Sequence, residues 1–495
     1  MTIYKHLFFS SGGASGTIPA PSNFVLPDMD FKTNINPASN STAGDPRTTQ
    51  DIYDGNGTGD VVGINLGTDS NLAYYVFAWM AGEQTSPDAG AWSVREGATA
   101  ASTDNGGTRL VDNLIESDSN RNFCNLWFNF QPQGGRDAEW GLHFGNEASN
   151  AISPQQGMLC AVATADLQPA TENSHFIRRA GFSSGSGGVH SFDDQTSGDE
   201  DIVSDGDDFT IGEYGDKKLH LVLCQLRLNN TIDHPSGSPS ALRWTPELDG
   251  PANFGSNVDI FNVRTNVTTA GATRTGRGFQ YHITDENSES QMHTSATITE
   301  LRSGNYNPSY VFNRHDSDDD SETADRMRWL VWRLNTFKQE DHVVVETAQV
   351  PSQSVSWENT LFTATVTNID ADSPVMLVFS TTQHRNITVP DLKFRLIRGG
   401  STVLTNSSNG FVQESTGTIT PGAGSTGIAD SDNANSPITM MWFDEPGAGT
   451  HTYTIQVLGP INSIYNSRDD GTDGFKGCFL AAEFKLAQEN LEPGN

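Results

Sequence analysis

One loop of the sequence has the residue types and the spacing of a calcium site. Residues 54–60 read Asp-Gly-Asn-Gly-Thr-Gly-Asp, and every second position carries a side-chain oxygen: Asp54, Asn56, Thr58 and Asp60. Hard oxygen ligands on a tightly curved loop suit Ca²⁺ and disfavour zinc or copper. The loop departs from an EF-hand, because no Glu stands at the twelfth position and no helical pattern flanks it. Two interpretations stay open, a Ca²⁺ site and a plain acidic turn.

Other residues that could carry chemistry are less well organised. Residues 469–473 read Asp-Asp-Gly-Thr-Asp and are a second candidate for Ca²⁺. The acidic runs 199–208 and 316–320 favour solvated loops. The 12 histidines are scattered, with no HxH or HExxH pattern, so a catalytic zinc is not expected. No motif of the sequence therefore predicts a specific reaction.

The four cysteines are predicted to be buried free thiols. They form no CxxC spacing, and each lies in an apolar run such as Leu221-Val222-Leu223-Cys224; the four are Cys124, Cys160, Cys224 and Cys478. A cysteine in such a run packs as a small hydrophobic residue. A disulfide framework is not expected in a chain of 495 residues.

The charge of the chain argues against two classes of partner. Asp and Glu number 61 against 29 Lys and Arg, which gives a net charge of −32. A nucleic-acid surface needs clustered Lys and Arg, and anionic membranes attract the same residues. No run of the sequence approaches the roughly 20 apolar residues that cross a bilayer. We therefore expect neither a nucleic acid nor a membrane as a partner.

Residues 1–44 are predicted to form an extended N-terminal arm, because several prolines interrupt any regular element. Five apolar residues precede a Gly/Ser stretch and are predicted to anchor the chain to a larger assembly: Ile3, Tyr4, Leu7, Phe8 and Phe9. This apolar segment is too short for a secretory signal, so export is not expected. A frayed tail is the alternative interpretation.

The composition favours many short strands joined by turns. Hydrophobic residues make up 35% of the chain and charged residues 18%, and the remainder is rich in Gly, Ser, Thr, Asn and Asp. These residues form turns and solvated strand faces. Low hydrophobicity with high net charge also fits disorder, but 26 Phe, 10 Tyr and 9 Trp in strand-like runs favour packed cores.

Strand-like runs divide the chain behind the arm into three predicted β-sandwich domains. They cover residues 45–168, residues 169–342 with long acidic loops, and residues 343–495 as a jelly roll. Short apolar strands of similar type occur in each block, at 158–161, 221–224 and 478–481, which suggests tandem related sandwiches. The predicted fold is therefore all-β, with tandem antiparallel β-sandwich or jelly-roll domains.

Residues 438–457 are the clearest part of the pattern. Ile438, Met440 and Trp442 share one face before a turn rich in Pro and Gly, and Tyr453, Ile455 and Val457 share one face after it. This period-two alternation is typical of half-buried antiparallel strands. The sequence therefore predicts a β-hairpin at this position.

Three stretches of the C-terminal region resemble jelly-roll modules of tailed-bacteriophage virion proteins. The stretches are Phe394-Arg395-Leu396-Ile397-Arg398-Gly399-Gly400, the run 442–457 and the closing strand 478–486. Such modules occur in head fibres, capsid decorations and tail fibre tips, and their topology is similar to that of tumour-necrosis-factor and C1q heads, which are commonly trimeric. The resemblance covers residues 360–490 and implies a homotrimer on the virion surface, without choosing head or tail.

The favoured function is a non-enzymatic structural protein of a tailed-phage virion, assembled in the host cytoplasm. Its expected partners are further copies of itself and other virion proteins, and it requires no cofactor, with Ca²⁺ as the one candidate ligand. One alternative is a receptor- or carbohydrate-binding tail fibre protein that recognises a host glycan. The tryptophans placed in or beside loops suit sugar stacking or core packing: Trp92, Trp140, Trp244 and Trp357.

A second alternative is a secreted, polysaccharide-active bacterial enzyme. The two carboxylates of a glycosidase are defined by their separation in space, which a sequence does not give.

Overall fold

The computed structural model describes the strands of the chain and the segments beside them. The described residues are 29–33, 51–52, 63–66, 73–84, 90–96, 108–115, 122–131, 139–146, 152–164, 176–180, 190–191, 200–204, 209–211, 218–230, 240–249, 258–259, 279–283, 290–301, 304–314, 322–334, 337–352, 356–369, 373–384, 392–405, 411–412, 435–459, 464–466 and 475–484. These residues contain strands and turns but no α-helix, and hence no helix suited to cross a bilayer.

The described strands are numbered in chain order and fall into three consecutive units. Unit 1 contains β1 (Met29–Thr33), β2 (Asp51–Ile52), β3 (Gly63–Asn65), β4 (Ala73–Gln84), β5 (Gly90–Glu96), β6 (Thr108–Ile115), β7 (Asn122–Gln131), β8 (Glu139–Asn146) and β9 (Ile152–Thr164). Unit 2 contains β10 (Phe176–Ala180), β11 (His190–Ser191), β12 (Glu200–Ser204), β13 (Phe209–Ile211), β14 (Lys218–Asn230), β15 (Ser240–Asp249), β16 (Val258–Asp259), β17 (Phe279–Ile283), β18 (Ser290–Leu301), β19 (Gly304–Arg314) and β20 (Glu322–Arg333). Unit 3 contains β21 (Gln339–Val345), β22 (Glu358–Ile369), β23 (Val375–His384), β24 (Lys393–Arg398), β25 (Thr402–Val403), β26 (Phe411–Val412), β27 (Asn435–Asp444), β28 (Gly449–Leu458), β29 (Ile464–Tyr465) and β30 (Gly477–Glu483).

Unit 3 is an eight-stranded antiparallel jelly roll. One sheet, sheet D, has the order β21-β30-β23-β27, and the facing sheet, sheet E, has the order β22-β28-β24-β25. Counted along the unit without the short β26 and β29, the two orders are 1-8-3-6 and 2-7-4-5. This alternation between two sheets is the double Greek key of a jelly roll. Phe379 of sheet D packs on Phe362 and Phe394 of sheet E, with ring centroids 5.1 and 5.5 Å apart.

Units 1 and 2 repeat this strand order. In unit 1, sheet A is β1-β9-β4-β7 and the facing strands run β2-β8-β5-β6. In unit 2, the strands β10-β20-β14-β18 face sheet C, which is β12-β19-β15-β16. In units 2 and 3, two short strands share the place of the fifth strand. β16 and β17 both pair with β15, and β25 and β26 both pair with β24. The chain is therefore a tandem of three jelly rolls with one topology.

Sheet B joins the first two units. β6 of unit 1 pairs with β18 of unit 2 through Leu114 and Ser290. The facing strands of unit 1 and the strands β10-β20-β14-β18 of unit 2 thereby form one sheet of ten strands. Units 1 and 2 consequently share backbone hydrogen bonds as well as side-chain packing.

Sheets A and D are covered on both faces, which explains why their strands are continuously apolar. In β4, Phe77 and Trp79 face a core shared with units 2 and 3, whereas Val76 and Ala78 face β5 and β8 of sheet B. Every residue of β30 in sheet D is buried. One face of sheet D packs on sheet E, and the opposite face packs on units 1 and 2. Unit 3 is thus built into the molecule rather than attached to its end.

The segment predicted as a hairpin is an arch between two sheets. β27 lies in sheet D beside β23, whereas β28 lies in sheet E between β22 and β24. The predicted inward faces are right, since Trp442 and Ile455 are fully buried. The hairpin prediction is wrong because alternation marks the buried face of a strand. It does not tell whether the strand after the turn pairs beside the first strand or packs across from it.

The strands confirm the predicted fold class, an all-β tandem of antiparallel jelly rolls. One described strand lies inside the predicted arm, and another runs across a predicted boundary. β1 falls inside the range predicted as an arm and pairs along β9. The last domain is predicted to begin at residue 343, and β21 runs across this boundary. The arm outside residues 29–33 and the boundary at 168 stay predictions.

Candidate functional site

The side chains predicted to bind Ca²⁺ and to anchor the chain lie outside the described residues. The predicted metal ligands are Asp54, Asn56, Thr58 and Asp60, and the predicted anchor is Ile3, Tyr4, Leu7, Phe8 and Phe9. Residues 469–473 lie outside as well. All three sites stay predictions. Within the described part of the chain, no group of His, Cys, Asp or Glu is placed to hold a metal ion.

The most organised group of polar side chains lies where the three units meet. The sixth strands of the units, β7, β18 and β27, contact one another in all three pairings. The fifth strand of each unit also lies beside the sixth strand of the next, as β6 with β18, β17 with β27, and β26 with β7. Contacts that run from unit 1 to unit 2, to unit 3 and back to unit 1 describe a threefold ring. Three jelly rolls thus close a ring within one chain.

The register of the sheets, together with the hydrogen bonds that run around the ring, identifies equivalent residues in the three units. In each unit one residue of the third strand is paired directly with one residue of the sixth strand and one of the eighth. These sets are Trp79, Leu126 and Met158 in unit 1, Gln225, Thr294 and Arg328 in unit 2, and Ser380, Thr439 and Cys478 in unit 3. We call these nine buried residues the junction layer.

Side-chain hydrogen bonds run around the ring through the sixth strands. The Thr439 hydroxyl donates to the carbonyl of Thr294 at 2.6 Å, and the Thr294 hydroxyl donates to the carbonyl of Leu126. The Leu126 side chain has no hydrogen-bond donor. The Cys124 thiol, two residues earlier on β7, donates instead to the carbonyl of Thr439 at 3.8 Å. Each sixth strand therefore donates to another sixth strand around the ring. The thiol bond is the weakest of the three, because sulfur is a poor donor.

The eighth strands repeat the same pattern at the next residues. The Arg328 guanidinium donates to the carbonyl of Phe128, and the Cys478 thiol donates to the carbonyl of Ala296, each at 3.5 Å. Phe128 and Ala296 lie two residues beyond Leu126 and Thr294, so the two contacts are equivalent. Met158 of unit 1 has no proton to donate at this position. The strand arrangement of the ring is consequently threefold, but the side-chain hydrogen bonds are repeated only in part.

A chain of hydroxyl groups links units 2 and 3. The amide of Ala296 donates to the Ser380 hydroxyl at 3.0 Å, and the hydroxyls of Ser380 and Thr439 lie 2.9 Å apart. Because the Thr439 hydrogen is directed to the Thr294 carbonyl, Ser380 is the donor in this pair. Each hydroxyl then donates once and accepts once, and such chains strengthen their members in a buried site.

A buried cation occupies the junction layer in unit 2. Arg328, which is 9% exposed, donates to the Gln225 amide oxygen at 2.8 Å. Its guanidinium lies 5.9 Å from the ring centroid of Trp127 in unit 1. The Gln225 carbonyl accepts a hydrogen bond of 2.9 Å from the Tyr310 hydroxyl of sheet C. Burial raises the pKa of the Tyr310 phenol, so this group stays a neutral donor.

The cysteines confirm the prediction of buried free thiols. Burial raises the pKa of Cys124 to about 12, although a hydrogen bond from the Trp79 indole, 3.3 Å long, opposes the shift. The pKa of each of the other three thiols is also raised by burial. Neutral thiols at these positions fill space and serve as weak donors rather than as nucleophiles.

Two of the tryptophans considered for sugar stacking are core residues. Trp92 and Trp140 are 0% and 1% exposed, because sheet A covers them. The sugar-stacking hypothesis is wrong for both. Trp357 is partly exposed and lies under the Arg395 guanidinium. The side chain of Trp244 lies outside the described part of the chain.

The junction layer itself was not predicted from the sequence. The apolar strands at 158–161 and 478–481 begin at Met158 and Cys478, which are equivalent residues of the eighth strands. In unit 2 the equivalent stretch of β20 begins at Arg328, whereas the matching apolar run at 221–224 lies in the third strand. A buried arginine interrupts the apolar run of the eighth strand in unit 2. Matching the three apolar runs of the sequence therefore aligns the third strand of unit 2 with the eighth strands of units 1 and 3.

The chemistry of the junction layer suits assembly rather than reaction. Its hydroxyl, amide and guanidinium groups are bonded to each other and to backbone carbonyls inside a closed core. Buried polar groups that are satisfied in this way specify one arrangement of the packed elements. The layer therefore holds three sheets in one relative position.

The comparisons with known proteins identify no family. No family model matches the chain, and no curated protein matches it. Among the solved structures that match, two show a weak similarity over most of this chain. One, "The Triple Jelly Roll Fold and Turret Assembly in an Archaeal Virus", is 10% identical over 96% of this chain and 99% of its own, with a TM-score of 0.17.

The second, "Life in the extremes: atomic structure of Sulfolobus Turreted Icosahedral Virus", is 10% identical over 86% of this chain and 84% of its own, with a TM-score of 0.16. TM-scores this low establish no common fold. The assignment of three jelly rolls therefore rests on the strand order of the chain itself.

Proposed function

We propose that the chain is a structural protein of a virus particle and acts by assembly with other proteins. The observation that supports this role is the ring of three jelly rolls closed by buried hydrogen bonds within one chain. Jelly rolls recur in viral capsids, and also in lectins and cupins, so the fold alone does not assign a function. A ring whose junction-layer hydroxyl and guanidinium groups are hydrogen-bonded within one chain is suited to act as a rigid block, which is what a shell or a surface projection requires.

Within this role, we propose a tailed-phage particle and a position on its surface. The support is the resemblance of residues 360–490 to the jelly-roll modules of head fibres, capsid decorations and tail fibre tips. Sheet D of this region is covered by the other units, so sheet E is its remaining outer sheet. An outer sheet on a rigid block is suited to face solvent or a neighbouring protein.

We further propose that a single chain takes the place that three chains take in trimeric jelly-roll proteins. The resemblance implies a homotrimer, and the aromatic content of the chain favours one as well. Trp79, Trp332 and Trp442, however, are buried within the chain's own core. Light scattering at micromolar concentration should give the mass of one chain. A stable species of three chains would show that the internal ring does not replace a trimer.

The experiment that tests the structural role is proteomics of purified particles, with immunogold labelling of intact ones. The chain should be present in particles at a fixed copy number and accessible to antibody before disruption. Hundreds of copies would indicate a capsid role, and tens or fewer a tail role. Absence from purified particles, with the protein found in the culture medium, would contradict the proposal.

A receptor- or carbohydrate-binding role is the second candidate. The observation that favours it is the partly exposed Trp357, with the polar side chains of Arg395 and Gln456 on the same sheet. Aromatic rings with adjacent hydrogen-bonding groups are suited to bind sugars. A glycan array probed with the whole chain distinguishes this role, since a purely structural protein should give no specific signal.

A further inference from the structure

The outer face of sheet E carries one patch with the chemistry of a protein contact. Its members lie on the strands β22, β24 and β28 or, for Trp357, directly before β22. All are at least partly exposed: Trp357, Asn359, Leu361, Lys393, Arg395 and Gln456. We call this set the sheet E patch. Leu361 is 58% exposed, and within the described residues only Val350, at 53%, is a comparably exposed large apolar side chain.

Leu361 lies on the outward face of β22, at a local irregularity of the strand. The register of β22 with β28 shifts between Asn359 and Thr363, so the residues between them form a bulge. Bulges redirect side chains and occur often beside functional sites. Phe362 of the bulge is fully buried, which leaves Leu361 directed outward. The apolar surface of this outward leucine is removed from water only if a partner protein covers it.

The polar members of the patch are held in place before any partner arrives. The Arg395 guanidinium lies 4.4 Å from the ring centroid of Trp357 and donates to Gln456 at 2.7 Å. Gln456 in turn donates to Asn359 at 2.8 Å. A fixed arginine and a fixed tryptophan lose little conformational entropy on binding, and both residue types are enriched in binding hot spots.

The charge of the patch points to the partner. Lys393 and Arg395 form no ion pair with a described residue, whereas Arg398 on the same strand is paired with Asp444. The chain as a whole has 61 acidic and 29 basic residues. A cationic patch on a strongly acidic protein is complementary to the net negative charge of another copy.

We propose that the sheet E patch binds an acidic surface of a second copy of this chain. The proposal rests on the proposed structural function and names the surface through which copies meet. A sugar is the weaker fit, because Arg395 already covers one face of the Trp357 ring. The contact joins one closed ring to another and leaves the junction layer of each ring intact.

Self-association of the whole chain, followed by sedimentation at rising concentration, tests the proposal. Arg395→Glu should weaken association by about tenfold or more, the loss expected for a hot-spot residue. Leu361→Ser should weaken it by a similar factor. The matched controls are Val350→Ser, which removes the other exposed apolar side chain, and Thr402→Glu, which adds a charge at an exposed site outside the patch. Both controls should associate as the wild type does.

Added salt separates the two parts of the contact. Association of the wild type should weaken as NaCl rises from about 0.05 to 0.5 M, because the charged part is screened. Association of Arg395→Glu should instead strengthen or stay constant. Unchanged melting temperatures of all variants show that each one is folded.

Three results would overturn the proposal. They are a wild type that stays monomeric up to about 0.5 mM, variants that associate as the wild type does, and glycan binding that depends on Arg395 without any change in self-association. The proposed function fails separately. If particles contain the chain but Leu361→Ser enters them normally, only the patch is wrong. If association depends on the patch but particles lack the chain, only the structural role is wrong.

Discussion

Asn466 shows how much one side chain does in this fold. It is fully buried and has a φ of 53°, which non-glycine residues adopt rarely. Its side-chain nitrogen lies 2.7 Å from the carbonyl oxygen of Val345, 3.1 Å from that of Thr347 and 3.0 Å from that of Phe475. One amide thereby ties the end of β21 to the segment before β30. Asparagine fits because its short side chain tolerates the left-handed region.

Replacing Asn466 by alanine should lower the free energy of unfolding by about 2–4 kcal/mol, because several buried carbonyls lose their donor. Urea denaturation measures the change. Asn466→Gly is the matched variant, since glycine adopts the same φ freely but also lacks the amide. If Asn466→Gly is as stable as the wild type, the hydrogen bonds contribute nothing and only the backbone conformation matters.

His342 gives the stability a pH dependence of known sign. Its Nδ1 lies 2.8 Å from a carboxylate oxygen of Glu340, and the two side chains are only 23% and 24% exposed. The hydrogen bond to Glu340 raises the pKa of His342 above its ordinary value, with burial opposing the shift and the charges of Glu340 and Asp341 adding to it. The protonated ring is therefore bound better in the folded state than in the unfolded state.

The contribution of this pair should be fully present below about pH 6.5, the ordinary histidine pKa, and should be lost as the pH rises through the higher pKa of the folded state. Denaturation of the wild type and of His342→Gln at several pH values measures it. The difference in unfolding free energy should shrink as the pH rises from about 5.5 to 9. A difference that is constant over this range would show that the ion pair does not contribute.

At the scale of the elements, the arch between β27 and β28 depends on glycine. Gly447 has a φ of 78°, and a Cβ built there would meet no atom within 4 Å. A substitution there is therefore strained by the backbone alone. Gly447→Ala should cost about 1–2 kcal/mol of stability. Ala448→Ser, one residue further along the same turn and exposed, should be close to neutral. Equal stability of the two variants would contradict this explanation.

Two facing edge strands of unit 3, β21 and β22, are joined by side chains, which no sequence pattern predicted. β21 and β22 are edge strands of different sheets. The amide of Thr365 donates to the Asp341 carboxylate at 2.6 Å, and the amide of Thr367 donates to the Gln339 side chain at 3.0 Å. These bonds occupy donors that would otherwise invite another strand. This side of unit 3 is thus protected against edge-to-edge pairing without a further strand.

The elements themselves were largely predictable, and their partners were not. Alternation placed Tyr453 and Val457 on the buried face of β28, and the structure agrees. Alternation also marks β27 as half-buried, yet Met441 and Phe443 on its other face are buried as well. The reason is that units 1 and 2 cover that face, and a local pattern contains no information about a layer contributed by residues hundreds of positions away.

At the scale of the whole molecule, the hydroxyls of the junction layer hydrogen-bond one unit to the next, so we expect the units to unfold as one cooperative body. Thr439→Val should lower the unfolding free energy by about 1–3 kcal/mol, because the Thr294 carbonyl loses its donor in a buried site. Thr452→Val removes a hydroxyl bonded to Thr365 at the half-buried outer face of sheet E and should cost less. Unfolding should stay a single transition in both variants, followed by tryptophan fluorescence. Separate transitions for unit 3 and the rest would show that the junction is not cooperative.

The threefold arrangement was hidden in the sequence for a physical reason. Equivalent positions of the third strands carry Trp79, Gln225 and Ser380, which share neither size nor polarity. A ring built from identical chains must use the same residue three times at its axis. A ring built from one chain is free of that constraint, so its three units can carry different residues at equivalent positions.

Because the side chains at these equivalent positions differ in volume, one unit cannot take the place of another. Trp79 fills far more of the centre than Ser380 does, so the space at the axis is shared unequally, with a large side chain in one unit matched by a small one in another. Three copies of unit 1 would bring three indoles to a space that holds one, and three copies of unit 3 would leave a void. A chain made by repeating any single unit should therefore fail to close, even though each unit has the same topology.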